Sequence, residues 1–255
     1  MSRALVLAVA NQKGGVGKTT TSVNLAASLA TAERRTLIVD VDPQANASSG
    51  VGVRPRSVED SLYDVLIGRI GMRDAIRKTE IAALELLPAT QDLVAVDLEL
   101  VDAPDRATRL RAALETVRED YDFIVLDCPP SLGLLTVNAL TAADRVLVPM
   151  QCEYFALEGL TQLMATIDRV KGSYNESLDV AGIVLTMFDG RNSLTHQVAQ
   201  EVRDHFHVYD AIIPRNVKLS EAPSHGKPVV LYDVQCKGSQ GYMSLAREVL
   251  EQLGA

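Results

Sequence analysis

The stretch ALVLAVANQKGGVGKTTTSVNLAASL, Ala4 to Leu29, determines how the rest of the chain is interpreted. It begins with a continuous apolar run, which is typical of a strand buried on both faces of a parallel sheet. A glycine-rich turn follows, and then a run of good helix formers with helical spacing. Such a turn presents backbone N–H groups and the positive end of the helix dipole, which together bind phosphates. The stretch therefore predicts a phosphate-binding loop.

The loop departs from the usual pattern G-x-x-x-x-G-K-[ST] in its first half. Gly17, Lys18 and Thr19 end the loop as the pattern requires. Gln12, however, occupies the position of the opening glycine, and a second lysine, Lys13, stands beside it. The loop thus has one cation more than phosphate binding by a single chain requires.

The remaining loop residues have separate predicted tasks. Glycines let the backbone approach a phosphate closely, and they stand at Gly14, Gly15 and Gly17. Lys18 is expected to reach the β- and γ-phosphates of a nucleotide, and the hydroxyl of Thr19 to bind Mg²⁺. The alternative is a tight strand-to-helix turn without a ligand, which the sequence G-K-T-T directly after a buried strand disfavours.

Apolar runs and helical patterns alternate along the rest of the chain. The predicted strands are ALVLAVA, RTLIVDVD, ALELLPAT, DFIVLDCPPS, DRVLVPM, DVAGIVLTMF and VYDAIIP. This alternation predicts an α/β fold of three layers, in which a mostly parallel, twisted sheet has helices on both faces. We expect residues 1–255 to form a single domain without an N-terminal helix-turn-helix domain, because the first strand begins almost at once.

Three segments between the strands have local signals. Residues 43–55 are polar and small, rich in Ser, Asn and Gly, and predict a loop able to move. Ser57 and Asp60 form a capping-box pattern that predicts a helix start, with Gly68 as its stop. The stretch DRATRLRAALETVRED, residues 105–120, predicts an amphipathic helix.

Aspartates end two of the predicted strands. Asp127 ends DFIVLD, the position that holds magnesium through water in phosphate-loop proteins. Asp40 and Asp42 close RTLIVDVD, and their spacing of two residues points them the same way. Two like charges side by side are unfavourable unless a cation lies near, although a solvated strand end is the alternative. Ligands of such sheets bind beyond the carboxyl ends of the strands, so these aspartates are expected beside the loop.

Composition limits the possible partners. The formal net charge is -8, so the chain as a whole repels nucleic acid and anionic membranes, and any such contact needs a local basic patch. The cysteines, Cys128, Cys152 and Cys236, form no C-x-x-C pair and are expected to be reduced thiols. No apolar stretch is long enough to span a bilayer. We expect a cytoplasmic protein.

Three motifs resemble those of a known family. KGGVGKTT, LIVDVDPQAN and IVLDCPPSLG are similar to the deviant Walker A, Walker A′ and Walker B motifs of the ParA/MinD ATPases. Longer stretches resemble the chromosomal ParA (Soj) branch: NQKGGVGKTTTSVNLAASLA, VPMQCEYFALEGL and IPRNVKLSEAPSHGKPV. The resemblance extends from about Leu5 to the last helix. It implies a deviant Walker A P-loop NTPase with ATP and Mg²⁺ as cofactors, which hydrolyses ATP to ADP and phosphate.

The resemblance also implies a role for the second lysine. Lys13 matches the signature lysine of the family, which crosses a dimer interface and touches the phosphates of the other subunit's ATP, as an arginine finger does. ATP would thus hold a homodimer together, and hydrolysis would loosen it. Lys13, Lys18 and Asp42 are the implied catalytic residues, with Asp42 orienting the attacking water. The segment from Asp42 to Asn46 becomes switch I.

The family's magnesium positions fall on Thr19, Asp40 and Asp127. Asp127 matches the Walker B carboxylate, and Asp40 supports the surroundings of the ion. Residues 128–131 become switch II. The implied nucleotide-binding residues are Gly14, Gly15, Val16, Gly17, Lys18, Thr19 and Thr20 in the loop, Glu153 toward the partner's nucleotide, and Met187, Pro214 and Asn216 around adenine.

DNA binding is a further implication of the resemblance. Arg191 and Lys218 match basic positions implicated in DNA contact, and Arg215 and Lys227 are weaker candidates. The alternative for each is a solvated surface charge. A dimer doubles the patch, which predicts weak, salt-sensitive, ATP-dependent binding to double-stranded DNA without sequence preference. The implied function is the segregation of a chromosome or plasmid by a nucleoid-associated ATPase that a ParB-like activator stimulates and releases.

Three other interpretations are weaker. A MinD-type membrane ATPase needs a basic amphipathic tail, but this chain ends in LAREVLEQLGA. An electron-transfer protein like the nitrogenase iron protein needs cysteines placed to hold a cluster across a dimer, and the spacing of Cys128 and Cys152 does not match. A nucleotide-gated DNA-binding switch that hydrolyses too slowly to matter stays open, because Asp42 indicates hydrolysis but not its rate.

Overall fold

One sheet organises the protein. The structure is a computed structural model that describes residues 3–153 and 156–253, so Tyr154 and Phe155 of the stretch VPMQCEYFALEGL lie outside the described residues. The eight strands are β1 (Leu5–Val9), β2 (Thr36–Asp40), β3 (Arg77–Lys78), β4 (Leu84–Leu87), β5 (Phe123–Asp127), β6 (Arg145–Gln151), β7 (Asp179–Phe188) and β8 (Val208–Pro214). Their order in the sheet is β3-β4-β2-β5-β1-β6-β7-β8.

Helices fill the connections between the strands. They are α1 (Lys18–Thr31), α2 (Asn46–Gly50), α3 (Leu62–Leu66), α4 (Met72–Ala75), α5 (Val96–Glu99), α6 (Arg109–Glu115), α7 (Leu134–Ala142), α8 (Ala156–Ser173), α9 (Ser193–His205), α10 (Val217–Glu221), α11 (Val229–Tyr232) and α12 (Lys237–Leu253). Short 3₁₀ segments lie at Pro55–Ser57, Gln91–Ala95 and Ala222–His225. Within the described ranges, no helix has the length and apolar character needed to cross a bilayer.

The predicted α/β fold is confirmed. Every strand pairs in parallel with its neighbours except β3, which is antiparallel to β4. Successive residues of β1 enter two separate hydrophobic clusters, with Val6 and Ala8 in one and Leu7 and Val9 in the other. Each cluster covers one face of the sheet, which explains why the strand is apolar without alternation.

The register of the central strands aligns their carboxyl ends. Asp127 at the end of β5 lies opposite Asp40 on one neighbouring strand and opposite Val9 on the other. The glycine loop starts directly after Val9, so the loop and both aspartates meet at one edge of the sheet. This is the edge at which ligands of parallel sheets bind.

Local signals placed some elements incorrectly. The helix predicted to start at Ser57 begins four residues later, because Ser61 and Asp64 form the capping box, with the Ser61 amide donating to Asp64 Oδ2 at 3.1 Å. This start puts Leu62 and Leu66 on the buried face. The helix predicted over 105–120 covers only Arg109–Glu115, since its last amides bond to the third preceding residue. The loop predicted over 43–55 contains α2.

Candidate nucleotide-binding site

The loop between β1 and α1 has a backbone that requires glycine. Gly15 has φ +75° and Gly17, the residue before α1, has φ +87°, a region that other residues rarely adopt. At Gly14 and Gly15 an added Cβ would meet nothing within 4 Å. The loop is therefore open on the side where a ligand would approach, and its glycines are not needed for packing against the protein.

Neighbouring strands hold the loop in place. Thr186 on β7 donates from Oγ1 to the carbonyl oxygen of Val16 at 2.8 Å. Asn11 is buried and donates from Nδ2 to the carbonyl oxygen of Pro149 on β6 at 2.8 Å. Its Oδ1 accepts from the amide of Lys13 at 3.0 Å. These bonds fix the loop before any ligand arrives, which lowers the entropic cost of binding.

Lys18 lies over the loop at the start of α1. Its side chain is largely buried, and Nζ donates to the carbonyl oxygen of Lys13 at 3.1 Å. Burial lowers the pKa of the Lys18 ammonium, while the nearby charge of Asp127 raises it. A phosphate group at this position would add a counter-charge beside the buried cation.

The second lysine is paired within its own chain. Lys13 Nζ forms an ion pair with the carboxylate of Glu153, which follows β6. The two side chains are 33% and 48% exposed, so the pair is at the surface and is weakly held. The two residues predicted to reach a partner's nucleotide are thus brought together, and they contact each other here.

Two buried carboxylates face each other beneath the loop. Asp40 and Asp127 are both 0% exposed. Burial, reinforced by the charge of Asp127, raises the pKa of Asp40 to about 8. Burial also raises the pKa of Asp127 to about 6. Two negative charges on this pair are therefore unfavourable unless a cation lies near the carboxylates.

Each carboxylate is held by a serine that the sequence patterns did not single out. Ser22 on α1 donates from Oγ to Asp127 Oδ1 at 2.7 Å. Ser48 on α2 donates to Asp40 Oδ2 from its amide at 2.8 Å and from Oγ at 2.7 Å. Ser22 follows three threonines, so the sequence around it contained no signal that singled it out. Ser48 gave none, because it stood among many small polar residues.

Asp42 lies beyond the end of β2 rather than on it. It is largely buried, and its Oδ1 accepts from the Gln44 amide at 2.9 Å. Its own amide donates to Asp40 Oδ1 at 3.2 Å. Strand alternation therefore does not set the direction of the Asp42 side chain, because the strand has already ended at Asp40. Asp42 instead stands in the turn that connects the strand to α2.

The donor set fits a divalent cation that is bound jointly with phosphates. Asp127 Oδ2 is buried and has no hydrogen-bond partner among the described residues. Across residues 3–153 and 156–253, no group of three or more His, Cys, Asp or Glu side chains is placed to hold a metal unaided. Mg²⁺ commonly takes one or two carboxylates, and waters and substrate phosphates complete its coordination. Thr19 and Asp127 would supply the protein's contribution.

The predicted adenine residues lie together at the ends of two neighbouring strands. Pro214 ends β8 and pairs in register with Phe188 of β7, next to Met187. Met187 has φ +49°, unusual for a residue other than glycine. Asn216 caps α10 by accepting from the Lys218 amide at 2.9 Å. A cavity of about 480 Å³ borders Thr19 and Thr20 on another side, where it is lined by α1, α2 and residues 222–227.

The predicted basic surface is more neutral than its sequence indicated. Arg191 is 91% exposed, but its guanidinium bonds to both oxygens of Asp189 at 3.0 and 3.1 Å. The remaining described ion pairs of these candidates join Lys218 to Glu221 at 2.9 Å and Lys227 to Glu80 at 3.1 Å. Arg215 is exposed and has no ion pair within the part of the chain that the structure describes. Lys227 moreover lines the cavity beside the loop.

Comparisons with known proteins show the family of the chain. A family model described as an AAA domain matches residues 4–180. The chromosome partitioning protein ParA of Caulobacter vibrioides is 57% identical over 251 residues, which are 97% of this chain and 94% of that protein. The sporulation initiation inhibitor protein Soj of Bacillus subtilis is 52% identical over 246 residues, 96% of this chain and 97% of that protein.

A solved structure is also similar over nearly its whole length. Cobyrinic acid a,c-diamide synthase from Mycobacterium smegmatis, with bound ADP and magnesium, has a TM-score of 0.88 and is 35% identical. The match covers 99% of this chain and 96% of that one. That protein therefore holds a nucleotide and magnesium in the same fold.

Ser22→Ala tests the support of Asp127. The substitution removes the hydrogen bond from Ser22 to Asp127 Oδ1, and we expect it to lower the free energy of unfolding by about 1–3 kcal/mol. Ser28→Ala is the matched control on the same helix, because Ser28 is buried too but donates only to the carbonyl oxygen of Asn24, at 2.7 Å. Urea unfolding measures both variants. Equal losses for the two would contradict the role of Ser22.

Proposed function

The chain belongs to the ParA family of ATPases, and from this premise we propose that it is a chromosome-partitioning ATPase whose ATP-bound form is a sandwich dimer. The observation that carries the proposal is the loop in which a buried Lys18 faces Asp127, with a second lysine beside it at the surface. A nucleotide-binding protein needs the first of these lysines. The second has a use only where two nucleotides face each other.

The site residues divide the work. Backbone amides of residues 14–20 and the Lys18 ammonium bind the phosphates. Asp42, beyond β2, orients the attacking water in line with the γ-phosphate. Thr19 and Asp127 would hold Mg²⁺, which would neutralise phosphate charge, and Asp40, beside Asp127, would support this carboxylate.

Dimerisation requires the ion pair at the surface to open. In the described chain Lys13 is held by Glu153, so it must leave this carboxylate to reach the partner's phosphates. An exposed pair of this kind contributes at most about 1 kcal/mol, which a triphosphate with several negative charges readily exceeds. ATP would thus draw Lys13 across the interface, and hydrolysis followed by loss of phosphate would return it.

The ATP-bound dimer would bind DNA through three basic residues. Arg191, Arg215 and Lys218 lie at or after the ends of β7 and β8. A phosphate backbone would replace the carboxylates that now pair with Arg191 and Lys218, so binding is weak and depends on two copies of the surface. A ParB-like activator would stimulate hydrolysis and release the dimer from the nucleoid.

Lys13→Gln tests the dimer. We expect the variant to fold and to bind ATP, but to lose ATP-driven dimerisation and about a thousandfold or more of its stimulated hydrolysis, as when an arginine finger is removed. Sedimentation velocity with Mg²⁺ and ATP gives the oligomeric state. Lys171→Gln, an exposed lysine on α8, is the control and should dimerise normally. An ATP dimer that persists in Lys13→Gln would overturn the role of Lys13 in trans.

Asp42→Ala separates hydrolysis from binding. Loss of the group that orients water should lower the hydrolysis rate by roughly 100-fold or more, while affinity for ATP is retained. The expected product is a long-lived ATP dimer that stays on DNA. Fluorescent-nucleotide titration and phosphate release measure the two quantities separately, with Lys18→Gln as the variant that fails to bind. If Asp42→Ala also fails to bind ATP, Asp42 is a binding residue.

Lys218→Glu and Glu221→Gln form a pair of opposite tests of the DNA surface. The first should weaken binding to every duplex about equally and reduce the slope of log affinity against log salt by about one for each phosphate that Lys218 no longer neutralises. The second frees Lys218 from its carboxylate and should strengthen binding. Anisotropy titrations of a random-sequence duplex at two salt concentrations measure both. Unchanged affinity and slope in both variants would place the DNA surface elsewhere.

A further inference from the structure

A tyrosine lies beside one of the candidate DNA-binding lysines. Lys218 on α10 is partly exposed, and its Nζ stands 5.4 Å from the centre of the Tyr232 ring on α11. A cation over the face of an aromatic ring at this distance is attracted by the negative face of the ring. Tyr232 therefore contributes to the surroundings of Lys218, although it stands on a different helix.

One carboxylate oxygen binds both side chains. Glu221 Oε2 accepts from Lys218 Nζ at 2.9 Å and from the Tyr232 hydroxyl at 3.1 Å. The hydrogen bond from Lys218, assisted by the one from Tyr232, lowers the pKa of the Glu221 carboxyl, so this group is ionised at neutral pH. The neighbouring carboxylate of Asp233 already accepts from two backbone amides of its own turn, both at 3.1 Å. Glu221 is therefore the carboxylate that competes with a phosphate for Lys218.

Contacts with two other elements fix the Tyr232 ring. The ring of His225 stacks on it, with centroids 5.0 Å apart and 28° between the planes. The first amide of α11, that of Val229, donates at 2.7 Å to Oδ1 of Asn24, a buried residue on α1. Pro228, which precedes α11, has no side-chain oxygen to cap this amide. Tyr232 is thus held in place within one protomer, before DNA or a second copy arrives.

We propose that Tyr232 is a positioning residue for phosphate binding by Lys218, an inference that rests on the DNA surface proposed above. The face of the ring holds the ammonium group at the surface of the protein. The hydroxyl holds Glu221, so this carboxylate keeps the Tyr232 donor when Lys218 leaves it for a phosphate. Without the hydroxyl, Glu221 binds the lysine more firmly, and less of the lysine's charge is available to DNA.

A double-mutant cycle of Tyr232 and Glu221 tests the hydroxyl, by anisotropy titration of a random-sequence duplex with Mg²⁺ and ATP. We expect Tyr232→Phe, which keeps the ring, to weaken DNA binding by about three- to tenfold. In the Glu221→Gln background the same substitution should have no further effect, because the carboxylate that the hydroxyl restrains is gone. A tyrosine that serves only packing would give equal losses in both backgrounds.

Tyr232→Leu tests the ring separately. It should weaken DNA binding by about two- to fivefold even in the Glu221→Gln background, because the attraction between the ammonium and the ring is lost. The slope of log affinity against log salt should stay that of the wild type in Tyr232→Phe and Tyr232→Leu, since Lys218 still neutralises its phosphate.

Tyr209→Phe is the matched control. The Tyr209 hydroxyl is buried and has no hydrogen-bond partner within the described ranges, so its removal should leave DNA binding unchanged. Thermal unfolding followed by circular dichroism shows that each compared variant is folded. Sedimentation velocity with Mg²⁺ and ATP shows that each has the oligomeric state of the wild type.

The outcomes separate this inference from the proposed function. If Lys218→Glu leaves DNA binding unchanged, the DNA surface lies elsewhere and both proposals are overturned. If Lys218→Glu weakens binding while Tyr232→Phe binds as the wild type does, only the role of Tyr232 is overturned. Equal losses from Tyr232→Phe in the two backgrounds, or tighter DNA binding by this variant, would overturn that role as well.

Discussion

Two buried carboxylates side by side are the constraint around which the site is built. The parallel register of β2 and β5 brings Asp40 and Asp127 side by side at the sheet edge, and both are fully buried. In the described chain they are compensated by serine hydroxyls and by Lys18, and one oxygen of Asp127 has no partner. Burial of this kind costs stability, and it is retained where a bound cation and its phosphates relieve it.

The same two carboxylates connect both proposed switch segments to the candidate nucleotide site. Asp40 is held by Ser48 of α2, so a change of charge at the strand ends is transmitted to the segment after Asp42. On the other strand, Asp127 leads directly into residues 128–131. In the proposed ATPase the two switch segments start from two neighbouring carboxylates, so gain or loss of a γ-phosphate would change both segments together.

Sequence reasoning predicted the parts of this arrangement that repeat or alternate. Clear patterns predicted three segments: the strand that ends at Val9, the loop through Lys18 and the strand that ends at Asp127. The α/β fold followed from the order of these segments along the chain. Elements fixed by tertiary contacts were missed or misplaced. Strand β3 consists of Arg77 and Lys78 and has no apolar alternation to detect. Ser22 and Ser48 were missed because their partners lie 105 and 8 residues away, which no local pattern contains.

The excess of acidic residues places carboxylates beside several cations that are proposed to bind phosphates. Lys13, Arg191 and Lys218 each have a carboxylate partner within the chain, so these three cations are already paired in the described protomer. When one of these cations leaves its carboxylate for a DNA phosphate, the free energy of DNA binding changes little. Whether the protein binds DNA therefore depends on how many such exchanges occur together. In the proposed dimer, two copies of the surface would make these exchanges together, because the second copy would bind the same DNA at a high effective concentration. Under the proposed function, weak pairing inside the protomer would let ATP-driven assembly, rather than net charge, decide when the protein binds DNA.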